Sequence, residues 1–277
     1  MAFEINYDAV TLAAAQVLGR SPTDRQFRSL FGTSLFVAAI VLERIPGYVN
    51  PLHLLWALYF LKGYGTAVNC AAFFQVDERT FRFHSWATIE KMSMMVVFQL
   101  QDRFRYAAQN VALMSIDGTD CRIQEPRPFN KRWFSHKFHS AGLRYEVGLA
   151  IDGGIVWISG PFPCGEWPDL AIARAGILQM LEFGEKVIAD AGYRGDNRVI
   201  SPSGLNNFSA RLHSLIRARH ETLNARLKIF NVLSHVFRHN IMKHSMCFHA
   251  VANIVQLEIE AGFELFSVHY DEYHGWD

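Results

Sequence analysis

Three acidic residues, Asp117, Asp190 and Glu221, have the type and the setting expected of a metal site. Asp117 follows the largely apolar run 111–116, and Asp190 follows the run 186–189, of which Val187, Ile188 and Ala189 are apolar, so each carboxylate lies at the end of a predicted strand. A carboxylate beside a core needs a partner that offsets its desolvation, and a divalent cation is one such partner.

Glu221 lies on a long helix predicted at about residues 209–232, and it shares a polar face with Arg217, Asn224 and Lys228. Three carboxylates brought together repel one another unless cations lie between them, which favours Mg²⁺ or Mn²⁺. Two such ions would activate a water or a 3′-hydroxyl and stabilise the leaving oxygen in phosphodiester cleavage. The pattern therefore indicates the chemistry of a metal-dependent nuclease.

Two of these acids also have a simpler interpretation, which the sequence leaves open. Asp117 precedes Gly118, and Asp-Gly is a common hairpin turn. Glu221 follows Arg217 by four residues, so an ordinary surface ion pair worth about a few tenths of a kcal/mol explains its position as well.

The elements around these residues indicate an α/β protein with an N-terminal all-helical part. Residues 1–105 show helical periodicity, and within about residues 52–92 two helices are separated by residues 75–77, with Asp77 placed to cap the second. This spacing is typical of a helix-turn-helix, and a plain helical bundle explains it too. Residues 106–277 mix strands and helices, which predicts a mixed sheet flanked by helices. The elements predicted there are strands at 111–116, 122–125, 145–151, 154–160 and 186–189, a hairpin turn at Asp152-Gly153 and a helix at 169–183.

Charge is distributed unevenly along the chain, although the net charge is only +1. Residues 211–249 contain seven Lys or Arg and one acid, Glu221, whereas residues 258–277 contain six acids and no Lys or Arg. A basic surface beside a lone acid is expected where phosphate approaches a catalytic carboxylate.

Composition argues against several other classes of protein. Apolar runs reach only eight residues, far short of the roughly 18 needed to span a membrane. The four cysteines lie far apart, which argues against a zinc knuckle or a disulfide framework and predicts buried thiols. No basic segment precedes an apolar one at the N-terminus, so we expect an intracellular protein.

Three blocks of sequence resemble the DDE superfamily endonucleases of Harbinger-type transposases and their host-derived relatives. The blocks are Ile-Asp-Gly-Thr-Asp at 116–120, Ile-Ala-Asp-Ala-Gly-Tyr at 188–193 and Arg-Ala-Arg-His-Glu-Thr-Leu-Asn-Ala-Arg-Leu-Lys at 217–228. The helices between 52 and 91 also resemble the N-terminal unit of such proteins. The resemblance implies a ribonuclease H-like fold with neighbouring first and fourth strands, so that Asp117 and Asp190 lie side by side and Glu221 faces them.

The same resemblance implies that these three acids are catalytic and that they ligate two Mg²⁺ or Mn²⁺ ions. It implies double-stranded DNA as the substrate and a homodimer or larger assembly, because two DNA ends must be joined. An accessory DNA-binding protein and a location in the nucleus are further expectations that come with the family.

Nine basic residues are candidates for DNA contacts. Arg79 and Arg82 belong to the second helix of the predicted helix-turn-helix. The others are Lys131, Arg132, Arg217, Arg219, His220, Arg226 and Lys228. Residues 131–139 interleave basic and aromatic side chains, which suits contacts to a frayed strand end, and a hairpin loop with its aromatics packed down suits the pattern equally.

Two further acids lie within the blocks or beside them. Asp169 occupies the place where the family has an additional acidic block, and we interpret it as the cap of the following helix. Asp120 is an alternative to Asp117, or a support for it.

The leading hypothesis is a divalent-metal-dependent DNA endonuclease or transposase. The alternative is a host-recruited DNA-binding protein of the same fold that no longer cuts. Retention of all three acids favours the enzyme, because a clustered carboxylate site repels phosphate and has no evident use in a pure binding module. A ribonuclease H-like enzyme acting on other nucleic acids is a third interpretation, and it would have little use for the N-terminal unit.

Overall fold

The structure is a computed structural model that describes residues 2–105, 112–202 and 207–268. The predicted start of the first strand, residue 111, and three of the six C-terminal acids, residues 271, 272 and 277, lie outside the described residues. The helices are α1 Ala2–Leu18, α2 Asp24–Phe31, α3 Leu35–Arg44, α4 Pro51–Gly63, α5 Ala67–Phe74, α6 Glu78–Ser93, α7 Asp169–Ala175, α8 Asn207–Lys228, α9 Asn231–Ser234 and α10 Met242–Glu260. The strands are β1 Ala112–Arg122, β2 Phe134–Ser135, β3 Ser140–Ala150, β4 Ile155–Pro163, β5 Lys186–Ile188 and β6 Val199–Ile200.

Two compact units are formed, and each combines segments that are distant in sequence. The helical unit contains residues 1–97 and 226–263, and the sheet unit contains residues 98–225 and 264–277. The expected division into 1–105 and 106–277 places residues 226–263 in the second part, whereas in the structure they pack with the N-terminal helices. The reason is α10, which is buried almost throughout and packs against α6 and α3 of the same unit. Its Asn253 amide donates to the carbonyl oxygens of Met92 (2.9 Å) and Met95 (3.2 Å).

Short polar residues begin the N-terminal helices where the sequence places them. The Asp77 carboxylate accepts from the backbone amides of Arg79 and Thr80, and a cap of this kind contributes about 1 kcal/mol. The preceding helix, α5, ends at Phe74, and the left-handed conformation of the next residue, Gln75 (φ 55°), turns the chain. The predicted pair of helices joined by residues 75–77 is thus present as α5 and α6.

The sheet unit has the mixed topology that the sequence predicts. Its long strands lie in the order β4-β3-β1-β5-β6, with β1, β3 and β4 antiparallel and β1, β5 and β6 parallel, and the short β2 pairs with β3. With β2 set aside, the first and fourth strands, β1 and β5, are neighbours. This arrangement, with helices on both faces, is the ribonuclease H-like fold.

One strand differs from the prediction in a way that matters for the site. The chain does not turn at Asp117-Gly118, because β1 continues to Arg122 and Asp117 pairs with Val147 of β3. The hairpin interpretation of Asp117 is therefore wrong, as is its placement at a strand end. The parallel pairing with β5 stops two residues earlier, at Ser115 and Ile188, so β1 has lost its parallel neighbour where Asp117 lies.

The two faces of the sheet are covered by different helices. On one face, Met114, Ile116 and Ala189 pack with Ala173 of α7 and with Tyr193. On the other face, the core contains Ala112, Ile188, Ile200, Leu212, Ile216 and Val268, of which Leu212 and Ile216 belong to α8. Helix α7 is shorter than predicted and is followed by a 3-10 turn at Ile177–Gln179.

Two compositional expectations can be compared with the structure. All four cysteines are buried free thiols, as predicted. In the described ranges no single helix meets the length and hydropathy of a membrane span, and only α2 and α3 taken together, bent by 57°, do so.

Candidate active site

Asp117 and Asp190 occupy equivalent positions on the two neighbouring parallel strands. Ser115 of β1 is paired with Ile188 of β5, and each aspartate follows its paired residue by two. Both side chains line a small cleft that also contains Arg217 of α8. The structure therefore brings two of the three predicted acids together, as the resemblance implies.

Asp117 lies within reach of two other negative charges, Asp190 and Asp169. Burial, followed by the charge of Asp190 and that of Asp169, raises the pKa of Asp117 to about 6, while a hydrogen bond from the Gly118 amide and the charge of Lys137 oppose the rise. Carboxylates in this arrangement repel one another in the absence of a cation.

Asp169 does not cap α7, contrary to the interpretation from sequence. The N-cap is Pro168, which makes no side-chain capping bond, and Asp169 is the first residue of the helix. Its carboxylate instead forms an ion pair with Arg144 (2.9 Å) and lies against Gly118 and Gly192. Burial, together with the charge of Asp190, raises the pKa of Asp169 despite the opposing effect of Arg144. Asp169 is thus a third carboxylate of the acidic cluster.

Asp120 has a separate and structural place. Arg144 donates to both of its carboxylate oxygens (2.7 and 3.1 Å), and the Ser135 hydroxyl donates to Oδ2 (2.7 Å). Burial would raise the pKa of Asp120, but these hydrogen bonds outweigh it and hold the pKa below its usual value. Asp120 therefore supports the site through Arg144, and Asp117 keeps the position beside Asp190.

Glu221 is exposed on α8, and the residue of that helix that contacts Asp117 is Asn224. The Asn224 amide lies 3.4 Å from Oδ2 of Asp117, one turn of helix after Glu221 and on the same polar face. The helical spacing places Asn224 on this face, and nothing in the sequence marks it as a site residue. Asn224 and Arg217, which share a polar face of α8 with Glu221, therefore lie beside the aspartates.

The donor set suits a hard divalent cation. Asp117, Asp190 and Asp169 offer carboxylate oxygens, which Mg²⁺ and Mn²⁺ prefer, and their mutual repulsion is what such an ion offsets. As they stand, no three His, Cys, Asp or Glu side chains in residues 2–105, 112–202 and 207–268 are grouped to hold one ion. Bringing Glu221 to the aspartates requires movement of its exposed side chain.

Two of the predicted DNA contacts are buried and serve the fold. The Arg219 guanidinium is fully buried and donates to the carbonyl oxygens of Ile151 (2.6 Å) and Ala150 (3.2 Å). His220 lies 2.9 Å from the Ser115 hydroxyl, and burial, followed by the charge of Arg219, lowers its pKa to about 3. Arg219 is thus occupied by the β3–β4 turn and His220 is neutral, so neither is available to a phosphate.

Other predicted contacts remain at the surface of the sheet unit. Arg217 is exposed beside the acids, and Lys131 and Arg132 are exposed in a 3-10 turn before β2, where Arg132 pairs with Glu166 (2.9 Å). The segment 131–139 does form a hairpin, because β2 pairs antiparallel with the start of β3 across a turn at residues 136–139. Its Lys137 carries a positive charge that lowers the pKa of Asp117, against the effects of burial and of Asp190 and Asp169.

The helical unit carries a second basic surface. A cleft of about 690 Å³ is lined by Arg79, Arg82, Phe83 and Trp86 of α6 and by Lys243 of α10. Lys243 lies over the Trp86 ring (4.3 Å), and Arg82 forms an ion pair with Glu78. Lys243 joins this surface because α10 packs on α6, which sequence spacing does not reveal. In the same unit, Arg226 of α8 donates to the carbonyl oxygen of Phe263, and Lys228 is half-buried.

Comparison with known proteins agrees with this geometry. Residues 116–256, more than half of the chain, match the family described as DDE superfamily endonuclease. No curated protein and no solved structure matches the chain significantly. The match begins next to Asp117 and includes Asp190 and Glu221. The chain therefore belongs to the DDE superfamily endonucleases.

Proposed function

We propose that the chain is a divalent-metal-dependent DNA endonuclease of the Harbinger-type transposase group that cuts, and also joins, phosphodiester bonds with two Mg²⁺ or Mn²⁺ ions. The observation that carries the proposal is the pair Asp117 and Asp190, at equivalent positions of neighbouring parallel strands and close enough for one to raise the pKa of the other.

Each residue of the cleft has a role in this proposal. Asp117 and Asp190 would hold the ions, together with Glu221 of α8. Bound there, the ions would supply activation of a water or a 3′-hydroxyl and stabilisation of the leaving oxygen. Asn224 donates to Oδ2 of Asp117 and orients that carboxylate. Arg217, exposed beside the acids, contacts the phosphate backbone of the substrate.

DNA cleavage is tested by nicking of supercoiled plasmid with MgCl₂ or MnCl₂. Asp117→Asn, Asp190→Asn and Glu221→Gln are compared with the wild type and with Glu166→Gln, which changes an exposed acid of the same unit. Because bound metal contributes several kcal/mol to transition-state stabilisation, each of the three variants should be slower by at least about a hundredfold. Glu166→Gln should nick at the wild-type rate.

Different results would overturn different parts of the proposal. A wild type that binds DNA but never nicks it with either ion would make the recruited DNA-binding protein the better description. Full activity in Glu221→Gln, with both aspartate variants inactive, would show that another residue takes the place of Glu221.

The proposal includes α5 and α6 as a helix-turn-helix that binds double-stranded DNA through the cleft surface of α6. Arg79, Arg82 and Lys243 place three cationic side chains around that cleft. Replacing any one of them with alanine should lower the slope of log K against log salt by about one, because each phosphate contact releases about one counterion. Arg25→Ala, an exposed arginine on α2, is the matched control and should leave the slope unchanged.

Assembly and location are further parts of the proposal, and they rest on the family. Joining two DNA ends needs two active sites held together, so a dimer or larger complex should form on DNA carrying the cognate ends. An accessory DNA-binding protein and a location in the nucleus are expected on the same ground. Sedimentation of the protein with and without DNA measures the assembly directly.

A further inference from the structure

We infer that Asp169 is a fourth carboxylate of the site and that it ligates a divalent ion together with Asp190. The inference rests on the proposed function, since it assigns one more ligand to the same ions. It is carried by the geometry of the Asp169 carboxylate, whose two oxygens have different surroundings.

The first oxygen, Oδ1, is held from one side by Arg144. Nη1 of Arg144 lies 2.9 Å from Oδ1, while Nε and Nη2 of the same guanidinium are both used by Asp120. Arg144 therefore has a single nitrogen for Asp169, and the ion pair fixes the direction of the carboxylate without engaging both of its oxygens. Arg144 is a positioning residue in this arrangement.

The second oxygen, Oδ2, faces Asp190. A Cβ atom added to Gly192 would lie 2.9 Å from Oδ2 of Asp169 and 3.0 Å from Oδ1 of Asp190, so the two oxygens border the same point and are within about 6 Å of each other. Two oxygens bound to one Mg²⁺ at about 2.1 Å are at most roughly 4 Å apart, so a small rotation of either side chain closes the gap. The Asp190 oxygen is already oriented by the Gly192 amide (2.8 Å).

The two glycines of the sequence blocks leave the space that Asp169 fills. A Cβ atom at Gly118, next to Asp117, would lie 2.8 Å from Oδ1 of Asp169, which is too close for any real contact. The Asp169 carboxylate thus lies against both Gly118 and Gly192. An ion pair between Asp169 and Arg144 at the surface would not require this close packing.

The charge of Asp169 raises the pKa of buried polar groups close to it. Glu146 of β3, paired with Gly118, is completely buried and accepts a hydrogen bond from Nε1 of Trp157 (3.1 Å). Its pKa is raised to about 7 by burial and by the charge of Asp169. The fully buried Tyr193 also lies within the field of both carboxylates. An ion at Asp169 would offset the negative charge that Arg144 offsets only in part.

The experiment measures Mn²⁺ binding directly, by calorimetry and by the paramagnetic resonance signal of free Mn²⁺. Wild type, Asp117→Asn, Asp169→Asn and the control Glu166→Gln are compared, each after its unfolding midpoint has confirmed folding. Asp169→Asn should weaken Mn²⁺ binding by at least about tenfold, as loss of a ligand or its close support does in other metal sites. Glu166→Gln, three residues away and exposed, should bind as the wild type does.

A second variant leaves the carboxylate in the chain and displaces it. Gly118→Ala places a methyl group against Oδ1 of Asp169 and should weaken Mn²⁺ binding to a similar degree. Wild-type affinity in both Asp169→Asn and Gly118→Ala, with binding lost in Asp117→Asn, would overturn this inference and leave the proposed function intact. Absence of Mn²⁺ and Mg²⁺ binding in the wild type would overturn both.

Discussion

Arg219 is predicted to contact DNA from its place in the sequence, whereas the structure gives it a role in holding the fold, and the two roles can be tested separately. By its position in the basic block it is a phosphate contact, whereas in the structure its guanidinium donates to the carbonyl oxygens of Ile151 and Ala150 at 2.6 and 3.2 Å. Replacing it with alanine removes the charged donor from both carbonyls, at a cost of about 1–3 kcal/mol each. The total loss of stability is therefore about 2–6 kcal/mol.

The assay has two readouts and an internal control. For a domain of this size 1 kcal/mol corresponds to about 2–4 °C, so the thermal unfolding midpoint of Arg219→Ala should fall by roughly 10 °C. The control is Arg217→Ala, two residues earlier on α8 and exposed beside the acids, which should change stability by no more than about 0.5 kcal/mol.

In DNA binding the order should be reversed: Arg217→Ala should be impaired and Arg219→Ala should not. At a temperature where both are folded, Arg217→Ala should bind DNA more weakly, with a salt slope lower by about one, and Arg219→Ala should bind as the wild type does. An unchanged unfolding midpoint in Arg219→Ala, together with weakened DNA binding, would refute the structural role of Arg219.

Three further predictions concern stability. The raised pKa of Asp117 means that its negative charge destabilises the metal-free folded protein, with the full effect above about pH 6. Asp117→Asn should therefore be more stable than the wild type at pH 7 in EDTA. The difference between their urea midpoints should shrink as the pH falls from about 6 toward 4. Glu185→Gln weakens a buried ion pair with Arg103 (2.8 Å) and should lower the free energy of unfolding in urea by about 3–5 kcal/mol. A loss under about 1 kcal/mol would contradict a stabilising role for this ion pair. Gly148→Ala places a Cβ atom 2.8 Å from the Cβ of Trp157 and against the Met114 side chain, so it should lower the unfolding midpoint by an amount equivalent to about 1–3 kcal/mol; an unchanged midpoint would show that the sheet can shift there.

The fold was predictable where local patterns determine it. Periodicity and caps located the N-terminal helices, and Asp77 caps α6 as its position suggests. The mixed sheet followed from the alternation of apolar runs. The length of β1 could not be predicted, because Asp117-Gly118 is typical of a turn and only the pairing with β3 keeps these residues in the strand. The place of α10 in the helical unit was also hidden, since an apolar helix does not specify its partner.

The site was predictable in its two aspartates and less so around them. Asp117 and Asp190 each follow an apolar run, and parallel neighbours bring such positions together. The sequence indicates a cap at Asp169, because an acid at a helix start usually caps the helix, whereas in the structure Arg144, from a strand distant in sequence, determines its orientation. The side chain of Arg219 was misassigned because the sequence shows a cation and does not show the turn that it holds.

The order of segments in the helical unit has a consequence for how the protein is made. Residues 226–263 complete a unit whose other part is residues 1–97, and all of 98–225 must leave the ribosome in between. At a synthesis rate of roughly 5–20 residues per second, α10 is made on the order of ten seconds after the N-terminal helices that it covers. During that interval the apolar side chains of α6 that later face α10 are open to chaperones. Production in a slowly translating host should therefore depend on chaperone supply more than the size of the chain suggests.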